Sequence, residues 1–398
     1  MLLIKTRRHL DENRKSIMKK DMLKASQIWV HSARKSNTLL FKYWIRRPRS
    51  ALVRTLEKIL IGNSLSSVLV RDIASLSRFS FAMSDVKYIK EIEGAVLVNR
   101  PQTKILGKFV GIQDSRRAIL RYNLSNTRLH TPSGHLLVCG GFLCEEFFGQ
   151  YIAVFSAGTI ADEYYALKHA KKQIKGTWAA IGIPQYYFHY VAQFLPALLR
   201  SLKDEEVEGV ILNAKAPEWV VKSVTSAGFK VLSVRDECVV IENLVLTSVG
   251  EIITDSEVAV LRNAYAHIIE DLEPETLVFV GRHGLNRNLG EIENELEDLV
   301  SSNNGQIVNP AALGWENELR IFANCRKLIL VYGSATANVV WMKPGSKVLL
   351  LTDFSRYTTQ VEKAFFEACN VDWKEIDTSQ FLKLEGRLLE TVIDFIKD

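Results

Sequence analysis

Residues 328–351, LILVYGSATANVVWMKPGSKVLLL, carry the pattern that decides the fold. Leu328 to Val331 run without a polar interruption into Tyr332, Gly333 and Ser334, and a second apolar run, Val348 to Leu351, follows the turn Pro344-Gly345-Ser346. A strand that is apolar on both sides has no solvated face, so it belongs inside a sheet covered on both faces. The stretch between the two runs has room for a short helix at 335–342, which makes the segment a strand–helix–strand crossover.

The alternation continues on both sides of this stretch. Helices are expected at 255–271, 289–302, 315–325 and 358–369, with strands at LVFVG (277–281), QIVNP (306–310), KLILVYG (327–333) and KVLLLTD (347–353). Such a series makes a doubly wound parallel sheet. A second, earlier series runs from a helix at 187–203 through VEGVILN (207–213), a helix at 218–228, KVLSV (230–234) and NLVLTS (243–248). Between 86 and 156 short β-rich runs dominate: GAVLVN (94–99), KFVGI (108–112), HLLVCGG (135–141) and YIAVFSAG (151–158).

A chain of 398 residues exceeds one ordinary core. The expected division is a basic amphipathic helical arm at 1–62, a first α/β domain at 63–255 and a second at 256–379. A last helix, 380–398, returns to brace the first domain. Hydrophobic content of 47% with 24% charged residues is that of a soluble globular protein. Five scattered cysteines with no Cys-x-x-Cys pair indicate neither a disulfide framework nor a zinc ribbon, and a reducing compartment fits them. No apolar run approaches the roughly 20 residues that span a bilayer, and the N-terminus lacks a signal-peptide pattern, so a cytoplasmic location is expected.

The charge is unevenly placed. Residues 1–60 hold 16 Lys and Arg against 4 Asp and Glu, so the +6 of the whole chain divides into +12 there and −6 elsewhere. Trp29, Phe41, Tyr43 and Trp44 are interleaved with these cations. That mixture suits a helix lying on anionic lipid headgroups, or a solvated arm packed on its own protein. Nucleic acid is not an expected partner, since no reader motif accompanies the charge.

Three segments carry candidate chemistry. In an open parallel sheet ligands bind beyond the carboxyl ends of the strands. After the strand in VFVGRHGLNRN come Arg282, His283 and Arg287, and two guanidinium groups in one loop match the oxygens of a diphosphate, or make a solvated basic loop. After the strand at 327–331 come Gly333, Ser334 and Asn338, where glycine permits close backbone approach and the amides of a helix start favour an anion. In PQYYFHYVAQFLPALLRSL, His189 is a candidate proton acceptor or a packed core histidine.

Taken in order, these segments resemble glycosyltransferase family 61, over roughly residues 85–355, as a divergent, bacterial-type member. Tyr187, Phe188, His189, Leu195 and Pro196 match its first motif, Arg282 and Arg287 its second, and Gly333, Asn338, Pro344, Gly345, Ser346 and Val348 its third. The resemblance implies a GT-B-like α/β fold, with two Rossmann-like domains facing across a cleft and inverting transfer from a nucleotide-sugar. No metal or other cofactor is implied, and no Asp-x-Asp stands in a post-strand loop. It implies His189 as general base. Arg282, Arg287, Tyr332, Gly333, Ser334, Asn338 and Glu318 fall to the donor, and Tyr187 and Gln193 to the side of a glycan or lipid-linked glycan acceptor. The chain departs from the pattern at Gln193, where a carboxylate is usual, at Ala197 for Arg, Tyr332 for His and Leu350 for an acidic residue; the usual Glu-Gln pair falls on Asn317 and Glu318. These departures leave open a catalytically silent member that binds a glycan or nucleotide or serves as a scaffold.

Overall fold

The computed structural model describes residues 119–138, 166–184, 186–203, 206–249, 253–269, 273–283, 285, 288–354, 360–379, 381 and 384–398, together with the backbone of short strands between 69 and 144. The basic arm at 1–62, the strand expected at 151–158 and Arg287 lie outside the described residues.

The first sheet is mixed. Its longest strand, Ile119–His130, runs antiparallel to Cys238–Thr247, and Gln173–Ala180, Val210–Asn213 and Val231–Val234 follow in parallel order. Ile119–His130 alternates polar and apolar residues too loosely to stand out in the sequence, yet it also pairs with Val86–Glu93.

The second sheet is wholly parallel. Its strands are β1 (Thr276–Val280), β2 (Gln306–Ile307), β3 (Cys325–Val331), β4 (Lys347–Thr352) and β5 (Asp372–Asp377), in the spatial order β2-β1-β3-β4-β5. Its helices are α1 (Glu291–Ser302), α2 (Trp315–Ala323), α3 (Gln360–Cys369) and α4 (Gly386–Lys397), with a 3-10 helix at Ser334–Trp341. The 3-10 helix stands at the expected 335–342 position. β5 is the addition: DWKEID is too polar to read as a buried strand, because it lies at the sheet edge with one side partly solvated.

Strand alternation sends successive side chains to opposite faces. Val278, Val280, Leu328, Leu330, Val348 and Leu350 therefore face a core that also takes in Ala179, Val210 and Leu212 of the first sheet. Phe279, Ile329, Val331, Leu349 and Leu351 face the other way, onto Ile292, Leu296 and Val300 of α1 and Leu388, Val392 and Phe395 of α4. This corrects the expectation for the last helix. Its apolar stripe packs on the second sheet, where Lys327 Nζ donates to Ile396 O (2.6 Å) and Lys347 pairs with Asp398 (2.8 Å).

The layer shared by the two sheets contains the helix that begins at Tyr187. It is α-helical over Tyr187–His189, widens to a π turn over Tyr190–Phe194, and resumes over Leu195–Ser201. The widening stands beside a proline: Pro196 has no N–H for the carbonyl of Ala192, and Leu195 N–H donates to Tyr190 O, one residue beyond its α-helical acceptor Val191. No helix among the described residues is long and apolar enough to cross a membrane.

Candidate active site

The order β2-β1-β3-β4-β5 places a topological switch point between β1 and β3. From β1 the chain crosses to one side, and from β2 it returns to the other, so the loops leaving β1 and β3 part and open a crevice. Gly281 and Arg282 follow β1; Tyr332, Gly333 and Ser334 follow β3. The Arg282 side chain reaches from one loop to the other. A Cβ built on Gly333 would stand 1.8 Å from Arg282 Nη1 and 2.6 Å from its Cζ, so the guanidinium lies directly over the glycine backbone. Gly333 is extended, with φ 167°, so glycine serves close approach here and not an unusual backbone angle.

Glu293, in the first turn of α1, holds the Arg282 loop from beneath. Its side chain is fully buried, and its carboxylate accepts from Arg282 N (2.6 Å) and Leu289 N (2.7 Å). Sequence reasoning passed over this residue. The available signal was its place as the third helical residue after Gly290, where a Glu commonly reaches back to the preceding backbone amides. His283 turns towards α1, with Nε2 2.9 Å from Glu297 Oε1.

A cleft of about 1010 Å³ opens over the switch point. Typical small-molecule sites range from about 300 to 1,000 Å³. One wall consists of Tyr186 and Tyr187 with Glu218, Trp219 and Lys222 of the helix Glu218–Ser226; the other includes Arg282, Leu285, the 309–312 turn, Glu316 to Glu318 of α2, and Ser334. Behind it stands an aromatic cluster. Tyr187 packs edge-on to Trp219 (5.4 Å between centroids) and Trp315 (6.5 Å), and Trp315 to Trp341 (5.7 Å).

A hydrogen-bonded chain runs from that cluster into the cleft. Tyr187 Oη donates to Asn338 Oδ1 (2.8 Å), and Asn338 Nδ2 donates to Glu318 Oε1 (2.7 Å). Asn338 is fully buried and Glu318 is 5% exposed. Burial raises the Glu318 pKa to about 7, against the pull of the hydrogen bonds from Asn338 and Tyr187. Burial, with Glu318 beside it, holds the Tyr187 phenol well above its ordinary range, so it remains a donor.

The structure thus brings Tyr187, Arg282, Ser334 and Glu318 to one cleft, with Gly333 as the seat of Arg282. Asn338, expected at the donor, instead links Tyr187 to Glu318 inside the protein. Tyr332 packs its side chain against the shared core, while its backbone N–H donates to Leu351 O (2.9 Å). His189, the expected base, is not among the described residues that line the cleft. It stands two residues from Tyr187, roughly 200° around an α-helix. Its Nδ1 is 2.8 Å from Gln193 Oε1, and its ring meets Phe188 and Tyr186 edge-on. Burial lowers its pKa, so it is neutral at neutral pH. Gln193 is thereby the partner of His189 and likewise not among the described cleft-lining residues.

Fold and site define a class: an α/β protein whose cleft lies at the switch point of a parallel sheet and is lined by a cation and a buried carboxylate. Residues 187–349 match the family described as Glycosyltransferase 61, and over this stretch the chain is similar to that family. The family implies, in general terms, transfer from a sugar donor to a glycan acceptor. The match begins at Tyr187, the first cleft-facing residue of its helix, and leaves out the part of the resemblance that lay upstream of it. No curated protein matches the chain.

Proposed function

We propose that the protein binds a nucleotide-sugar with its diphosphate at the switch point and moves the sugar, with inversion and without a metal, onto a glycan or lipid-linked glycan of a surface polysaccharide. The observation that carries this reading is the Arg282 guanidinium seated over Gly333 beside Ser334, where the strand order directs a ligand. A fixed cation there neutralises the charge that develops on a departing diphosphate. Arg287, five residues further along the same loop, supplies the second cation of the clamp. The test is calorimetry of the purified chain against UDP-, GDP- and dTDP-sugars. Binding of one of them at micromolar to millimolar strength, lost in Arg282→Ala, is the expected result; no binding across the set removes the reading.

A second reading, a non-catalytic member that binds a glycan or nucleotide, is favoured by one observation: Gln193 and His189 pair with each other away from the described cleft lining. Nucleotide binding without turnover on any donor would select it. A cytoplasmic protein held at the inner membrane face by residues 1–60 accords with their +12 charge. At about 1 kcal/mol per engaged cation, sedimentation with anionic vesicles should be strong at low salt and reversed at high salt. Equal sedimentation after deletion of residues 1–60 would make the arm a packing element.

A further inference from the structure

Three carboxylates line the cleft: Glu218, Glu316 and Glu318. Glu218 and Glu316 are exposed, and Glu316 is engaged by Ser226 Oγ (2.8 Å) and Arg320 (3.8 Å). Glu318 differs in its burial and in how it is held. It is buried, it borders the cavity, and one of its oxygens is held by an amide that is itself held from the opposite wall. A carboxylate fixed in this way, with water largely excluded, has the geometry of a proton acceptor whose basic oxygen is aimed by its partners.

We propose that Glu318 is the general base of the transfer reaction, with Asn338 and Tyr187 as the positioning residues that aim it. This rests on the donor reading above and adds to it the group that activates the acceptor. The Glu318 carboxylate takes the proton of the acceptor hydroxyl as that oxygen forms its bond to the anomeric carbon. The bond from the anomeric carbon to the phosphate oxygen breaks, and its electron pair leaves with the nucleoside diphosphate at Arg282. The proton passes from Glu318 to solvent as the products depart. A carboxyl that titrates near neutrality suits this task, because it is a stronger base than an ordinary carboxylate yet still ionised at working pH.

Titratable and charged groups face Glu318 from several elements. Tyr187 comes from the first helix, with Tyr265 packed behind it from the end of the helix Asp255–Ala264. Glu218 and Lys222 face it across the cleft, Arg282 lies in the β1 loop, and Glu316 precedes it on α2. Of these, the Tyr187 hydroxyl and the Asn338 amide favour the ionised form by hydrogen bonding.

The experiment uses the full chain and water as acceptor: release of nucleoside diphosphate from UDP-glucose, GDP-mannose and dTDP-rhamnose, followed from pH 5 to 9 beside calorimetric affinity for each. Glu318→Gln keeps the carbonyl that accepts from Asn338 and cannot take a proton. Turnover should fall by about a hundredfold or more, with affinity within about threefold of the parent. In the parent, turnover should rise with pH to a plateau, half-maximal near 7. Tyr187→Phe removes a bond to the ionised form, so it should move that midpoint upward while turnover at high pH largely survives. Parent-like turnover in Glu318→Gln overturns the proposal. So does weakened affinity with unchanged turnover, which would make Glu318 a sugar or ribose contact. A parent that binds a donor and releases nothing at any pH also overturns it, leaving the binding reading intact; a parent that binds no donor removes that reading instead.

Discussion

At the switch point the cleft presents a cation held through the main chain: Glu293 fixes the Arg282 amide, and the missing side chain of Gly333 leaves the guanidinium its place. Along α2 it presents a carboxylate held by side chains alone, through Asn338 and Tyr187. The first arrangement is local to one sheet. The second exists only when the Tyr187 helix is docked on the 3-10 helix Ser334–Trp341. The difference separates two jobs: charge that must be present when a ligand arrives can be built into loop backbone, whereas a group that exchanges a proton needs a dry site, and here the dryness comes from closing two sheets over it.

The carboxylate should respond most strongly to substitution. Glu318 titrates near 7 in the folded protein against 4.5 for a free glutamate, so the native state holds its proton more tightly than the unfolded chain. Its stabilising contribution is complete below about 4.5 and is lost as pH rises through 7, by about 3 kcal/mol in all. Glu318→Gln has no charge to bury, so urea unfolding should find it more stable than the parent by about 2–3 kcal/mol at pH 8.5, with the gap closing towards pH 5. Parallel pH dependences for the two proteins would mean that the site is wetter than described.

A comparable loss is expected at the cation. Charge-assisted bonds are worth about 1.5–3 kcal/mol, so Arg282→Ala should weaken nucleotide binding by roughly ten- to a hundredfold. The pH midpoint of turnover should stay where it is, and a shift in that midpoint would join the two ends into one electrostatic unit. The mildest probe is Gly333→Ala. The added methyl occupies the place of the guanidinium, which can swing aside on its own stem, so a loss of about three- to tenfold in affinity is expected, without a change in stability beyond about 1 kcal/mol. Unaltered affinity would show that the seat over Gly333 is not where Arg282 works.

Much of the second sheet was legible in the sequence because its strands are apolar on both sides and its crossovers short. β5 was not, since an edge strand such as DWKEID needs no apolar pattern, although Asn370, with φ 56°, supplies a left-handed stop after α3 that marks the turn into it. The post-strand residues Arg282, Gly333 and Ser334 follow from the rule for open parallel sheets, and they stand where that rule directs. The faces of the Tyr187 helix could not be read. Tyr187 and His189 are equally polar and two residues apart, and only docking against Asn338 and Trp315 decides which of them meets the cleft. Glu293 went unread because its work is done on main-chain amides, which leave no mark in composition. Glu318 was visible as a donor residue, but its burial depends on contacts from a segment 131 residues upstream, at Tyr187.

The shared core sets how the cleft can breathe. A hinge that swung one sheet away from the other would break the Tyr187–Asn338 bond (2.8 Å) and would part Phe188 from Phe365 (5.5 Å). Each large aromatic bared in this way costs about 1.5–3 kcal/mol, a sizeable share of the roughly 5–15 kcal/mol that holds a typical fold. Clamshell opening is thereby disfavoured. Traffic into the cleft falls instead to the lips, where Leu285 and the 309–312 turn meet solvent, and changes there should alter the rate of product escape before they alter the chemistry.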